Sequence, residues 1–108
     1  MSYRVEQQGN FNIVHLDGEV DLSNSPQARE QILKCLKQDK GLLVDLSQVE
    51  YIDSSGVASL VEGYQVARKK SLAFGLVGVS SAALQVLQLA RLDKVFPLYD
   101  SLEAALTA

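Results

Sequence analysis

The chain has 108 residues, 47% of them hydrophobic and 21% charged, enough for one core but not two, and too apolar for a disordered segment. Its formal charge of −3 at pH 7 supplies no basic field, which argues against a nucleic-acid partner. No apolar run approaches the roughly 20 residues that span a bilayer, so direct membrane insertion is not expected.

The opening Met1-Ser2-Tyr3-Arg4-Val5-Glu6 lacks a signal-peptide core. Cys35 is the single cysteine and excludes an internal disulfide, so the expected location is a reducing cytoplasm. Two strands are predicted, about Tyr3–Gln8 and Phe11–Asp17, joined at Gly9-Asn10, a pair suited to a tight hairpin turn. After Gly18-Glu19-Val20-Asp21 comes Ser23-Asn24-Ser25-Pro26. Ser25 before Pro26 reads as N-cap and first helical position. That helix runs to about Lys37 with Ala28, Ile32, Cys35 and Leu36 turned inward; Cys35 reads as a small buried hydrophobe.

Leu42–Leu46 is a short continuous apolar run, as expected of a strand covered on both faces. A second helix follows from about Ser55 to Lys69, its apolar face made by Val57, Leu60, Val61 and Tyr64 at helical spacing. Ala73–Val77 reads as another buried strand. Ser80 or Ser81 caps an unusually apolar helix ending near Leu89, with core packing expected on both its sides and an exposed docking stripe as the alternative. A last short strand, Val95–Tyr99, precedes a helix capped by Ser101 with Glu103 in its first turn. Strands alternating with helices after an initial hairpin predict an α/β domain over 1–108: a mixed, mostly parallel sheet of about five strands packed by about four helices.

Catalytic constellations are sparse. The only histidine, His15, falls within a predicted strand, and no Gly-x-Ser-x-Gly elbow, phosphate loop or dinucleotide fingerprint is present. Asp17, Glu19, Asp21, Asp45 and Asp53 lie near strand ends without the Asp-x-Asp spacing of a cation loop, and read as solvated carboxylates. No enzyme activity, metal or cofactor is predicted.

Asp53-Ser54-Ser55-Gly56 stands out instead. It joins an apolar strand to a helix and sets two hydroxyls where backbone N–H groups lack intrahelical partners. A plain helix cap accounts for part of this. Two consecutive hydroxyls exceed one cap, and Gly56 gives up a side chain where another surface could approach closely. The turn also falls at a sheet end, where α/β domains place functional loops.

With these pieces in order, the chain resembles STAS domains, the fold of bacterial anti-sigma factor antagonists. The likeness runs through Gly18-Glu19-Val20-Asp21, Leu43-Val44-Asp45-Leu46, Tyr51-Ile52-Asp53-Ser54-Ser55-Gly56, Phe74–Val77, Ser81–Leu89, Leu92-Asp93-Lys94-Val95-Phe96 and Ser101–Leu106. It implies that Ser54 is a phosphoacceptor, and that the unmodified protein binds an anti-sigma factor that is also a serine kinase. Phosphorylation then breaks the complex and a serine phosphatase resets it. The implied partner-binding face comprises Asp21, Ser23, Asp53, Ser54, Ser55, Gly56 and Val57. Two departures stand out: Val57-Ala58 where many antagonists continue Leu-Gly, and no glycine near Ser71 at the end of the second helix. The alternative implied by the same family is a cytoplasmic regulatory subunit of a phospholipid-trafficking ABC transporter, docked on a permease–ATPase complex; Ser54-Ser55 favours the sigma pathway.

Overall fold

The computed structural model describes residues 3–108, so Met1 and Ser2 of the expected domain lie outside the described residues. In chain order the elements are β1 (Arg4–Gln8), β2 (Phe11–Val20), α1 (Ser25–Leu36), β3 (Gly41–Ile52), α2 (Ser54–Lys69), β4 (Phe74–Val77), α3 (Ser81–Leu89), β5 (Leu98–Tyr99) and α4 (Leu102–Leu106). They build one five-stranded sheet in the order β1-β2-β3-β4-β5, antiparallel between β1 and β2 and parallel elsewhere. The hairpin turns at Gly9-Asn10, with Gly9 at φ +58°.

Side chains alternate across β2 and β3. Val14, Leu16, Val44 and Leu46 join α1, α2 and α3 in the larger core, through Ile32, Leu60 and Leu87 among others. Ile13, Leu43 and Val77 meet Ala105 of α4 on the opposite face. Both faces of the central strands are covered over most of their length, which is why Leu42, Leu43, Val44 and Leu46 are all apolar. Cys35 is buried as expected, and burial pushes its thiol upward in pKa, so it is inert packing.

Four expectations need correction. β3 continues from Leu46 to Ile52, through an irregularity where pairing passes from His15↔Asp45 to Asp17↔Gln48. Within that bulge the Ser47 N–H donates to the Asp45 carboxylate at 2.9 Å, which satisfies a group the interrupted ladder leaves unpaired. Ser25 is the first helical residue rather than the N-cap, which is Asn24. The carbonyl of Asp21 accepts from the N–H groups of Asn24 and Ser25, at 3.1 and 2.7 Å, and so starts the helix one position earlier.

The last strand is only Leu98–Tyr99. The Leu92 carbonyl accepts from the N–H groups of Val95 and Phe96, at 3.0 and 3.5 Å, making a turn. That turn drives Phe96 inward against Tyr64 and Phe74, with ring centroids 5.4 and 6.1 Å away. Finally, α3 is not packed on both sides: Ala83 and Leu87 are buried, but Leu89 is 86% exposed.

Candidate functional site

The carboxyl ends of β2 and β3 and the first turns of α1 and α2 meet at one end of the sheet. There β3 leaves Ile52 in extended conformation, and Asp53 (φ −108°, ψ −172°) serves as the N-cap of α2. Its Oδ1 accepts from the N–H groups of Ser55 at 2.9 Å and Gly56 at 3.2 Å. The Ser55 hydroxyl donates to the same oxygen. That hydroxyl, followed by the N–H groups of Gly56, Ser55 and Leu22, holds the Asp53 carboxyl below its ordinary pKa against an opposing contribution from burial.

Ser54 and Ser55 therefore differ sharply. Ser55 is half-buried and its hydroxyl is engaged by Asp53. Ser54 is exposed on the first position of α2, and no hydrogen bond engages its hydroxyl among the described residues. One turn on, the buried Ser59 hydroxyl donates to the carbonyls of Ser55 at 3.2 Å and Ser25 at 3.4 Å, fastening the starts of the two helices together.

The facing loop is shaped by Asp21. Its Oδ1 accepts from the N–H groups of Ser23 and Asn24 at 3.0 and 3.2 Å, while the Asn24 amide donates to the Glu19 carbonyl at 2.8 Å. The result holds Leu22 out into solvent, 76% exposed, with its backbone N–H toward the Asp53 carboxylate. Beside it Glu19 pairs with Tyr51, which is 51% exposed.

Asp21, Ser23, Asp53, Ser54 and Ser55 are thus gathered at one place. Of the remaining residues of the expected face, Gly56 and Val57 are both buried and present no accessible side chain. Val57 packs in the main core. The close approach at Gly56 is internal: a Cβ there would lie 2.6 Å from the Val20 carbonyl oxygen and 2.7 Å from Ile52 Cγ1. Leu22 and Tyr51 escaped sequence reasoning. Leu22 had a signal, being a lone large apolar residue in a polar turn with no periodic partner; Tyr51 had none, since a strand residue's face depends on the bulge before it.

His15 lies away from the serines. Nδ1 is 2.7 Å from an Asp45 carboxylate oxygen and Nε2 is 2.6 Å from one of Glu6, so both ring nitrogens are occupied. The Arg29–Glu62 ion pair, at 2.7 and 2.8 Å, spans α1 and α2 beside Ser55 and Ala58. No group of three or more His, Cys, Asp or Glu among the described residues is placed to hold a metal ion. No helix among them is long and apolar enough to cross a membrane. The arrangement is suited to recognition and to modification of one exposed hydroxyl.

The chain is similar to known proteins in sequence and fold. A family model described as the STAS domain matches residues 2–105. The anti-sigma-F factor antagonist RsfB of Mycobacterium tuberculosis is 31% identical over 96 residues, covering 88% of this chain and 78% of that protein. The anti-sigma F factor antagonist of Paenibacillus polymyxa is 26% identical over 109 residues, covering 99% and 93%. A crystal structure of an anti-sigma factor antagonist from Mycobacterium paratuberculosis superposes with a TM-score of 0.89 at 33% identity, covering 98% of this chain and 91% of that one.

Proposed function

The chain belongs to the STAS domain family, and from that premise we propose that it is a non-catalytic, cytoplasmic anti-sigma factor antagonist switched by phosphorylation of Ser54. The unmodified protein binds an anti-sigma factor that is also a serine kinase; phosphorylation by that kinase releases it, and a serine phosphatase restores it. The names of the relatives support this sigma-pathway reading over docking on a permease–ATPase complex.

The carrying observation is the contrast between the two serines: only the Ser54 hydroxyl is both exposed and unengaged. Phosphorylation adds about −1.5 to −2 charges and three acceptor oxygens. The helix N-terminus tolerates that charge within the fold. Asp53 already occupies the N–H groups of Ser55 and Gly56, so the phosphate has to remain outward and hydrated. It then stands beside the exposed Leu22 and displaces a partner that packs there. A loss of about 3 kcal/mol lowers affinity about a hundredfold.

The test is incubation with candidate anti-sigma kinases and ATP, followed by peptide mapping. One phosphoryl group on Ser54, absent from Ser54→Ala, supports the reading. Incorporation at Ser55, or undiminished incorporation into Ser54→Ala, refutes the assigned acceptor.

A further inference from the structure

The net charge of −3 conceals a separation of charge along the strand direction. Asp17, Glu19, Asp21, Glu50 and Asp53 lie at the carboxyl ends of β2 and β3, around the serine site. At the opposite end α1, α2 and α3 all terminate, because each returns antiparallel to the parallel strands. Lys37 and Lys40 follow α1, Lys69 and Lys70 close α2, and Arg91 and Lys94 follow α3. These are six of the ten Lys and Arg residues in the chain, against two carboxylates in the same segments, Asp39 and Asp93. Lys70 ties the ends of α1 and α2 by donating to the Leu36 carbonyl at 2.7 Å, with Asp39 at the same distance. Phe96, packed on Tyr64, brings the segment after α3 against α2.

Cations are expected at helix C-termini, where they complement the dipole. That does not account for the apolar groups among them. Leu89 is 86% exposed at the last position of α3, and Val95, between Arg91–Lys94 and the buried Phe96, is 43% exposed. A surface of cations with protruding aliphatic side chains fits one occupant best, an anionic lipid surface, where the cations meet headgroups and the aliphatic groups enter the acyl boundary. Single-stranded nucleic acid would call for exposed aromatic rings as stacking platforms; Phe74 and Phe96 are buried instead.

We infer that this basic pole is a peripheral docking surface for anionic phospholipid bilayers, which leaves the Ser54 end directed away from the membrane toward soluble partners. The inference does not depend on Ser54 being phosphorylated. It is tested by co-sedimentation of the full chain with vesicles of phosphatidylcholine, with and without one-third phosphatidylserine, at low and high salt. Binding is expected only to the phosphatidylserine vesicles and is lost in high salt. Lys69→Glu/Lys94→Glu should lower the partition coefficient at least fivefold per cation, about 1 kcal/mol each. Leu89→Gln, at a site too exposed to disturb the fold, should lower it several-fold.

No sedimentation with phosphatidylserine vesicles at low salt overturns the inference, as does equal binding to both vesicle types. Full retention of binding by the charge-reversed and Leu89→Gln variants does so too. Retention of duplex DNA at a lower protein concentration than vesicles would assign the pole to nucleic acid instead.

Discussion

Asp53 grips Ser55 through both its backbone N–H and its hydroxyl, and leaves the neighbouring Ser54 hydroxyl untouched. One carboxylate thereby divides two identical side chains between two tasks: Ser55 completes the start of α2, and Ser54 faces outward.

The two serines should consequently separate on substitution. Ser54→Ala is expected to melt within a few degrees of the parent, as for a surface change away from packing. It should bind the anti-sigma partner constitutively. Ser54→Asp should keep the fold and bind weakly. Ser55→Ala removes the hydroxyl bond to Asp53 and should lower the melting temperature while leaving the phosphoacceptor in place. Calorimetry with a pull-down checks both halves; unfolding of Ser54→Ala would make Ser54 a structural residue.

Acid should act through the carboxylates around His15. The His15 hydrogen bond, ahead of an opposing burial contribution, holds Glu6 below its ordinary pKa. For Asp45 burial acts upward, but hydrogen bonds from Ser47 and then His15 bring the carboxyl below the usual range. A carboxyl lowered in the folded state stabilises the protein above its unfolded pKa, near 4, and that contribution is lost as pH falls through the folded value. His15→Gln should raise both carboxyl titrations and cost stability at pH 7, and its deficit should shrink as the pH drops below about 4. Carboxyl NMR titration and melting curves from neutral to acidic pH check this; an unmoved Asp45 would assign its shift to Ser47 alone.

A further expectation concerns the helix ends. Ser71 and Arg91 have φ of +57° and +59°, the left-handed conformation that glycine adopts without strain. Each occupies the first position beyond a helix cap, where the following N–H reaches back five residues: Leu72 to Ala67 and Leu92 to Leu87, both at 2.8 Å. Neither position carries the glycine that this backbone conformation favours. An L-residue in this region costs about 1–2 kcal/mol, offset partly by glycine's greater freedom when unfolded, about 0.5–1 kcal/mol. Ser71→Gly and Arg91→Gly should therefore each stabilise by about 0.5–1 kcal/mol, raising the melting temperature by about 2–6 °C. Unchanged melting in both would mean that the side chains contribute as much as the backbone strain removes.

Most of the architecture was legible because periodicity and caps are local. The turn at Gly9-Asn10, the inward face of α1, the cap at Ser101 and, to within one residue, the cap at Ser80 follow from neighbouring residues alone. What escaped depends on distant contacts. The continuation of β3 beyond Leu46 rests on a bulge opposite β2, and the loss of Val95–Pro97 from the last strand rests on Phe96 seeking Tyr64 and Phe74. At the site, the residue pattern places Ser54 and Ser55 at a helix start and only the family resemblance singles out Ser54; what separates the two hydroxyls is the Asp53 carboxylate, which engages Ser55. Nor does the pattern show that the surface approaching Gly56 belongs to the same chain.

That last point yields the most direct probe of how the site is held. Val20 ends β2 and Gly56 lies in the first turn of α2, and a Cβ at position 56 would stand 2.6 Å from the Val20 carbonyl oxygen and 2.7 Å from Ile52 Cγ1. The Val20 oxygen is not free to retreat, because it also accepts the Asp53 N–H at 3.3 Å. Gly56→Ala gains helix propensity, at most about 1 kcal/mol, but forces α2 away from the strand end, an overpacking cost of about 1–3 kcal/mol. The net expectation is a lower denaturant midpoint. Displacing the start of α2 also moves Ser54 relative to Leu22, so partner binding should weaken even though the acceptor hydroxyl is intact and exposed. Denaturant titration together with partner affinity distinguishes this from plain destabilisation: weaker binding under conditions where the variant is fully folded places the effect in the spacing between α2 and the β2–α1 loop. An unchanged midpoint with undiminished binding would show that the helix start shifts freely and that the 2.6 Å approach does not fix the site.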